Sequence, residues 1–250
     1  MIATVDAGNS TINFGIFDGM SLVHTFYIPT VLVKSKQKID YSPKYTIEHS
    51  IYSSVVPEIN PVLESFLKKW SGKDPIHLNS RNAIDVKIHY TNPEELGADR
   101  ITHAYFVKYI AKEDSLVVDI GTAITIDVIL KDGTFFGGAI LASPSTVLFG
   151  LAKRTSKLED FKLDVWPESF IGKGTKECLR IGILYGTVGA ILHISEGVEN
   201  EMGLSLRKFL TGGGGKFFKE KLIDFHYNPY LNLEGLRVAF GEILKRSDST

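Results

Sequence analysis

The chain has 250 residues, enough for one large domain or two small ones, and its 44% hydrophobic and 23% charged residues are ordinary for a folded soluble protein. A net charge of −1 gives no basic surface for nucleic acid or an anionic membrane, and no long apolar stretch predicts a signal peptide or a membrane span. The single cysteine, Cys178, excludes an intrachain disulfide and a cysteine-based zinc site, and it suits a cytoplasmic protein.

The first predicted elements are two strands joined by a short polar turn. Residues 3–19 read ATVDAGNSTINFGIFDG, an apolar strand ending in an Asp-Ala-Gly turn, then a second β-rich run and an Asp-Gly turn. Gly8 lets a ligand approach the backbone closely. The hydroxyls of Ser10 and Thr11 can donate to phosphate oxygens, and Asp6 can hold a cation that lies on those phosphates. This pattern predicts a phosphate-binding hairpin.

The next part of the chain predicts alternating strands and helices. In order, these are a strand within residues 46–55, a helix at 61–70, a brief strand at 76–78 and a helix at 96–111. The polar run that follows favours a boundary near residue 113. We therefore predict two domains, 1–113 and 114–250.

A second copy of the opening pattern follows this boundary. Residues 116–133 read LVVDIGTAITIDVILKDG, and the matching acids and glycines lie 113 residues apart. A single Asp-x-Gly is usually a plain turn, but two copies in matching context favour a shared phosphate-binding role. The corresponding residues are Asp6 with Asp119, Gly8 with Gly121 and, more loosely, Ser10 and Thr11 with Thr122 and Thr125.

The remaining elements complete an α/β pattern. Helices are predicted at about 145–153 and 175–200, and a strand at 209–211 runs into four glycines before a helix near Lys216. The arrangement resembles the actin, hexokinase and Hsp70 superfamily. This resemblance implies two RNase-H-like (actin-like ATPase) domains with a nucleotide cleft between them, and adenosine beside the glycines.

The string YTNPEELGADR, residues 90–100, places an acid beside a permanently charged guanidinium. Arg100 can bind a carboxylate through two hydrogen bonds or hold Asp99 in place. Asp99 can act as the base for a primary hydroxyl. A helix with a local ion pair explains the tetrapeptide alone equally well.

Four ordered motifs together resemble the type III pantothenate kinases, also known as the Bvg accessory factor family. They are D-x-G-N-[ST] near residue 6, Y-x-N-P-x-E-L-G-A-D-R near 90, D-x-G-T-A-x-T near 119 and L-T-G-G near 210. The resemblance covers nearly the whole chain. It implies a phosphotransferase that converts pantothenate and ATP to 4′-phosphopantothenate and ADP, the first step of coenzyme A biosynthesis.

The resemblance also implies roles for individual residues. Asp99 would accept the hydroxyl proton, Asp119 would bind a monovalent cation (K⁺ or NH₄⁺), and we expect Mg²⁺ near Asp6. Thr175 matches a threonine that often reaches pantothenate from the neighbouring subunit, which implies a homodimer. The implied ATP-binding residues are Asp6, Ala7, Gly8, Asn9, Ser10, Thr11, Ile12, Asn13 and Thr122. The implied pantothenate-binding residues are Tyr90, Gly97, Ala98, Asp99, Arg100 and Thr175.

Two segments depart from the family pattern: Leu141-Ala142-Ser143-Pro144 replaces a usual Leu-Pro-Gly, and Glu159 stands where proline is common. Both lie outside the phosphate and acid motifs, so we expect them to alter loop geometry rather than chemistry. Two other functions stay open. The retained acids disfavour a non-catalytic regulatory relative that acts on gene expression, and residues 90–100 disfavour another small-molecule kinase of the superfamily.

Overall fold

The computed structural model describes residues 1–41, 44–154 and 161–247, and within them the chain forms two compact units. The first unit contains the described parts of 1–114, 129–137 and the chain from 230 onward. The second contains those of 115–128 and 138–229. The departure at Glu159 lies outside the described residues.

The units are not two successive stretches of chain. The first break, after Asp114, is next to the boundary expected near 113, but the C-terminal segment groups with the first unit. The division into domains 1–113 and 114–250 therefore stays a prediction.

The first unit is built on a five-stranded mixed sheet. Its strands are β1 (Ile2–Ala7), β2 (Thr11–Asp18), β3 (Ser21–Pro29), β4 (His49–Ser54) and β5 (Ile76–His77), in the order β3-β2-β1-β4-β5. Strands β1 to β3 are antiparallel neighbours, whereas β4 is parallel to β1 and β5 to β4. The predicted Asp-Gly turn follows β2, with Gly19 at a φ of 58°.

In the first unit α1 (Thr30–Lys36) lies between β3 and β4, α2 (Asn60–Ser71) lies between β4 and β5, and α3 (Ala98–Phe106) follows β5. The predicted α2 is confirmed, and its apolar face buries Leu63 and Leu67 completely in a core shared with Phe14 and Tyr52. Helix α3 begins after Gly97, two residues later than expected, and ends in a π-helical turn over Val107–Ala111.

The second unit contains β7 (Ser115–Ile120), β10 (Arg207–Thr211), β11 (His226–Tyr227) and most of β8 (Ala123–Ile129) and β9 (Thr134–Ala142). The last residue of β8 and residues 134–137 of β9 group with the first unit. The strand order is β11-β10-β7-β8-β9, and β10 is parallel to both β7 and β11. Two residues join β7 to β8, as the predicted hairpin requires. The short strand β6 (Lys87–Ile88) pairs with Thr134 and Phe135, all within the first unit.

Helices α4 (Pro144–Arg154), α5 (Thr175–Met202) and α6 (Gly215–Phe218) complete the second unit. The predicted stripe of α5 is buried at Leu184, Val188 and Ile191 and half-buried at Ile181 and Ile194. The chain then returns to the first unit with α7 (Leu231–Ser247).

Helix α5 is apolar along most of its length. Its mean hydropathy is 1.5 over the most apolar window of 18 residues, and 28% of that window is buried. By length and composition it could cross a membrane, so the expectation that no apolar stretch approaches this length was wrong here. Core helices of soluble proteins meet the same criteria, and the buried face of α5 lies in the core of the second unit.

Candidate active site

The loop between β1 and β2 is held in place by backbone and side-chain hydrogen bonds. The Gly8 N–H donates to the Thr11 carbonyl at 2.9 Å. The hydroxyl of Thr30, a fully buried residue, donates to the Gly8 carbonyl at 2.7 Å, and the Thr30 N–H donates to the Ser10 carbonyl at 3.0 Å. The side chains at the tip, Asn9 and Ser10, are exposed. The loop is therefore anchored at its base and accessible at its tip.

Two residues of the predicted ATP-binding set lie in the hydrophobic core. Ala7 is 1% exposed and Ile12 is fully buried, both in the cluster that contains Phe14. Any contact between these two residues and a ligand is therefore made by the backbone. Thr11 and Asn13 are half-buried.

The Asp6 carboxylate accepts hydrogen bonds on both oxygens. The Ser53 hydroxyl donates to Oδ1 at 2.9 Å from the neighbouring strand β4, where Ser53 is the register partner of Asp6. The Asn232 amide donates to Oδ2 at 3.2 Å from helix α7. Asn232 in turn contacts the ring of the buried His103 at 3.0 Å. Hydrogen bonds of this kind stabilise the ionised form of a carboxylate and fix its orientation.

Asp99 lies in the first turn of α3 and is half-buried. Its Oδ1 accepts the Arg100 N–H at 2.9 Å, and a Cβ on Gly97 would lie 2.5 Å from the same oxygen. Glycine at position 97 therefore leaves room for the carboxylate. Asp99 and His103 are four residues apart, which places both side chains on one face of the helix.

Arg100 is 5% exposed and its guanidinium lies among aromatic rings. It donates to the Tyr90 hydroxyl at 2.7 Å, and its Cζ lies 5.6 Å from the Tyr90 ring centroid and 5.1 Å from that of Phe135. The structure thus brings Tyr90 and Arg100 into direct contact. Phe135 is an addition that the sequence motifs did not indicate.

Val55 connects the acid motif to the first loop. Its N–H donates to the Ala7 carbonyl at 3.1 Å, and its Cγ1 would lie 3.7 Å from a Cβ on Gly97. Val55 therefore lies beside both the 90–100 motif and the residue that precedes the first loop, all within the first unit.

The second loop, between β7 and β8, is bounded by glycine backbone. Gly212 has a φ of 83°, and a Cβ there would collide with Asp119 Oδ1 and lie 2.7 Å from the Ile120 N and O atoms. The Gly214 N–H donates to the Ile120 carbonyl at 2.8 Å. Two predicted elements, the second Asp loop and the glycine turn, are therefore in contact within the second unit.

Thr122 is exposed at the tip of the second loop, and its carbonyl accepts the Thr146 hydroxyl at 2.8 Å. Ser143, 1% exposed, precedes α4, and its hydroxyl accepts the Thr146 N–H at 3.3 Å. A serine cap followed by proline is a favourable helix start. The departure at Leu141-Ala142-Ser143-Pro144 thus begins a helix that contacts the second loop.

A cavity of about 730 Å³ lies beside this loop within the second unit. Gly121 and Gly214 line one part of it, and apolar side chains of α4 and α6 line another, among them Leu148, Phe149, Phe217 and Phe218. Thr175, the first residue of α5, is exposed in the same unit.

Glu94, in the turn before α3, is fixed at the surface. Arg81 Nε and Nη2 each donate to a different oxygen of Glu94 at 3.2 Å. The hydrogen bond from Arg81, and then its charge, hold the pKa of Glu94 below its usual value. Both side chains of this pair are exposed.

Three residues that contact the first loop or Asp6 were missed in the sequence, namely Thr30, Ser53 and Asn232, and so was His103, which contacts Asn232. Ser53 and the serine after it stand near the end of a predicted strand, and these two polar residues were a signal that could have indicated Ser53. Asn232 carries no local signal, because it is 226 residues from Asp6 along the chain.

Cation sites would have to use few protein ligands. Among the described residues, no group of three or more His, Cys, Asp or Glu side chains could hold a metal ion. Mg²⁺ in phosphoryl-transfer sites is commonly bound by one or two carboxylates and by the substrate phosphates. A single, oriented Asp6 carboxylate fits that donor set.

Comparison with known proteins gives a consistent result. A model of the type III pantothenate kinase family matches residues 2–197. A type III pantothenate kinase from Persephonella marina is 33% identical over 248 residues, covering 94% of this chain and 96% of the relative.

Solved structures show the fold. A conserved Baf family protein from Campylobacter jejuni, described as a transcriptional activator, has a TM-score of 0.65 at 21% identity and covers 99% of this chain and 100% of its own. The activator of the 2-hydroxyisocaproyl-CoA dehydratase from Clostridium difficile, with bound ADPNP, has a TM-score of 0.54 at 11% identity. The match covers 99% of this chain and 98% of that structure's chain. The predicted actin-like ATPase fold class is confirmed.

Proposed function

The chain belongs to the type III pantothenate kinase family, which phosphorylates pantothenate with ATP in coenzyme A biosynthesis, and from this premise we propose how its own residues carry out the transfer. Asp99 is the general base, and Asp6 and the first loop position the triphosphate. The observation that carries this assignment is the series of side-chain contacts that relates Asp99 to Asp6 within the first unit. Asp99 shares a helix face with His103, and His103 is linked through Asn232 to Asp6.

In the reaction, Asp99 orients the primary hydroxyl of pantothenate and accepts its proton. The hydroxyl oxygen forms a bond to the γ-phosphorus of ATP while the bond from that phosphorus to the β,γ-bridging oxygen breaks, which leaves ADP. Such transfers depend mainly on positioning and charge stabilisation. A positioned base contributes about 10²- to 10⁴-fold in rate.

The phosphates are contacted by residues 6–13, through the exposed tip at Asn9 and Ser10 and through backbone groups where side chains are buried. Thr122 also contacts the phosphates, and its exposed side chain supports this role. Adenosine lies beside the glycine turn. The 730 Å³ cavity next to Gly214, with its apolar lining, supports this placement.

Cations complete the charge balance. Asp6 would hold Mg²⁺, and Asp119 would hold K⁺ or NH₄⁺. When bound, these ions offset the negative charge of the phosphates. The half-buried Asp119 carboxylate at the end of β7 supports the second assignment.

Pantothenate is bound by the 90–100 motif: Tyr90, Gly97, Ala98, Asp99 and Arg100. The direct contact of Arg100 with Tyr90 supports a shared role in the pocket. Thr175 completes the pocket from a second copy of the chain, so the active protein is a homodimer. Its exposed position, after the exposed apolar residues Phe170 and Ile171, supports this arrangement. The dimer is placed in the cytoplasm, where the free thiol of Cys178 would stay reduced.

The experiment that tests the base assignment is Asp99→Asn. Pantothenate-dependent ADP release should fall by about 10²- to 10⁴-fold in kcat, about 3 to 5 kcal/mol of transition-state stabilisation. The KM for ATP should stay near that of the unchanged enzyme. Asp74→Asn, an exposed acid paired with Lys68, is the matched control and should retain full turnover. Near-full turnover of Asp99→Asn would remove Asp99 from this role.

A further inference from the structure

The C-terminal helix α7 supplies a polar contact to the first phosphate loop. Asn232, the second residue of α7, is 9% exposed, and its Nδ2 donates to Asp6 Oδ2 at 3.2 Å. Its Oδ1 lies 3.0 Å from Nε2 of His103, which is fully buried. A buried asparagine that links a ring nitrogen to a carboxylate has both ends of its amide engaged.

The direction of each hydrogen bond follows from the groups involved. An ionised carboxylate only accepts, so the amide nitrogen of Asn232 faces Asp6. The amide oxygen, which also only accepts, therefore faces His103, and the Nε2 of His103 must carry a hydrogen. The Nε2–H of His103 thus stabilises the amide orientation that donates to Asp6.

The backbone around this chain of bonds is closely packed. A Cβ on Gly235 would collide with the Thr102 carbonyl oxygen and lie 2.9 Å from its carbon, so α7 and α3 touch at backbone level. Because Asn232 and His103 stand on these two helices, their side chains have little freedom to separate.

We propose that Asn232, held by His103, is a positioning residue that fixes the Asp6 carboxylate for Mg²⁺–nucleotide binding. This inference rests on the proposed role of Asp6. Ser53 fixes the other carboxylate oxygen from β4, so Asp6 is oriented from both sides. The C-terminal helix thereby becomes part of the nucleotide site although it lies outside residues 2–197 that match the family model.

The first test is calorimetric binding of a non-hydrolysable ATP analogue with Mg²⁺, without pantothenate. Asn232→Ala should weaken binding by about tenfold, because a hydrogen bond to a charged group is lost. In steady-state kinetics the KM for MgATP should rise by a similar factor, while the KM for pantothenate changes by less than about twofold. Leu236→Val, which trims the fully buried core face of the same helix, is the control and should leave nucleotide binding unchanged.

A double variant of Asp6 and Asn232 distinguishes a positioning role of Asn232 from a merely structural one. If Asn232 acts through Asp6, adding Asn232→Ala to Asp6→Asn should weaken analogue binding by less than about twofold further. A further tenfold loss in the double variant, or unchanged binding in a folded Asn232→Ala, would overturn the proposal.

A second pair of variants keeps the proposal testable if Asn232→Ala does not fold. His103→Gln retains an N–H near the position of Nε2 and should bind the analogue like the unchanged protein. His103→Leu removes that donor and should lose about tenfold. Equal binding by these two variants would contradict the inference. Since the binding measurements involve neither Asp99 nor pantothenate, a failed base assignment and a failed positioning role give different results.

Discussion

In the first unit the Asp6 carboxylate accepts hydrogen bonds from Ser53 and Asn232, whereas in the second unit Asp119 lies against the backbone of Gly212. Both acids are the penultimate residue of a strand and begin the same Asp-x-Gly pattern. The first acid, Asp6, is fixed by side chains from a neighbouring strand and from α7. The second depends on close approach by a residue without a side chain. One motif can therefore be held by two different physical means.

The largest effect on stability is expected where that close approach is blocked. Gly212→Ala adds a Cβ within 2.7 Å of Ile120 backbone atoms at a residue with a φ of 83°. The left-handed conformation alone costs about 1–2 kcal/mol, and the collision adds to it. We expect a loss of roughly 3 kcal/mol in the free energy of unfolding, measured by urea denaturation.

Two glycine variants make this comparison specific. Gly213→Ala, one residue further, meets no atom within 4 Å and should be nearly neutral. Gly8→Ala, in the first loop, places a Cβ 3.3 Å from the Thr11 carbonyl oxygen and should cost much less than Gly212→Ala. Equal losses at Gly8 and Gly212 would show that the loops do not differ in this respect.

An intermediate effect is expected from Thr30→Val, which tests the side-chain support of the first loop. The change preserves shape but removes the hydroxyl that donates to the Gly8 carbonyl at 2.7 Å. We expect a loss of about 1–2 kcal/mol in unfolding free energy and a raised KM for ATP.

Thr4→Val is the matched control for Thr30→Val. Thr4 is also fully buried, but its hydroxyl lies 3.4 Å from the Gly15 carbonyl, away from the loop. The KM for ATP of the Thr4→Val variant should stay unchanged. An equal rise in the KM for ATP of both variants would show that Thr30 does not act through the loop.

Whether a structural feature could be predicted from the sequence depends on how far apart along the chain its interacting residues lie. The two hairpins and the glycine turn were predicted correctly because Asp-Gly, Asp-x-Gly and a four-glycine run act locally on the backbone. Helix α2 was predicted because its apolar spacing matches the buried Leu63 and Leu67.

Long-range contacts were not predictable in the same way. The hydrogen bond between Asn232 and Asp6 joins the two ends of the chain, and no local pattern marks either partner for the other. Helix α7, which groups with the first unit, was not predicted, since no local pattern marks its packing partner. The exposed apolar surface of α5 was underestimated because the helix was assigned by its core-facing stripe alone.

The smallest effect is expected at the surface pair of Arg81 and Glu94. Both side chains are exposed, so Arg81→Gln should change stability at neutral pH very little. The hydrogen bond from Arg81 lowers the pKa of Glu94 in the folded protein. Any contribution of the pair to folding stability is therefore present above the ordinary glutamate pKa, and it is lost as the pH falls through the lowered pKa of Glu94. Urea denaturation at neutral and acidic pH should show any small difference vanish in acid. A difference that grows in acid would contradict this sign.

The most direct test of the two-loop account is a cation titration of pantothenate-dependent ADP release in two matched variants. Asp6→Asn should require more Mg²⁺ for half-maximal rate while its K⁺ dependence stays unchanged. Asp119→Asn should lose its response to K⁺ while its Mg²⁺ dependence stays unchanged. Identical shifts in both titrations, or a K⁺ response in Asp119→Asn equal to that of the unchanged enzyme, would contradict the separate roles assigned to the two acids.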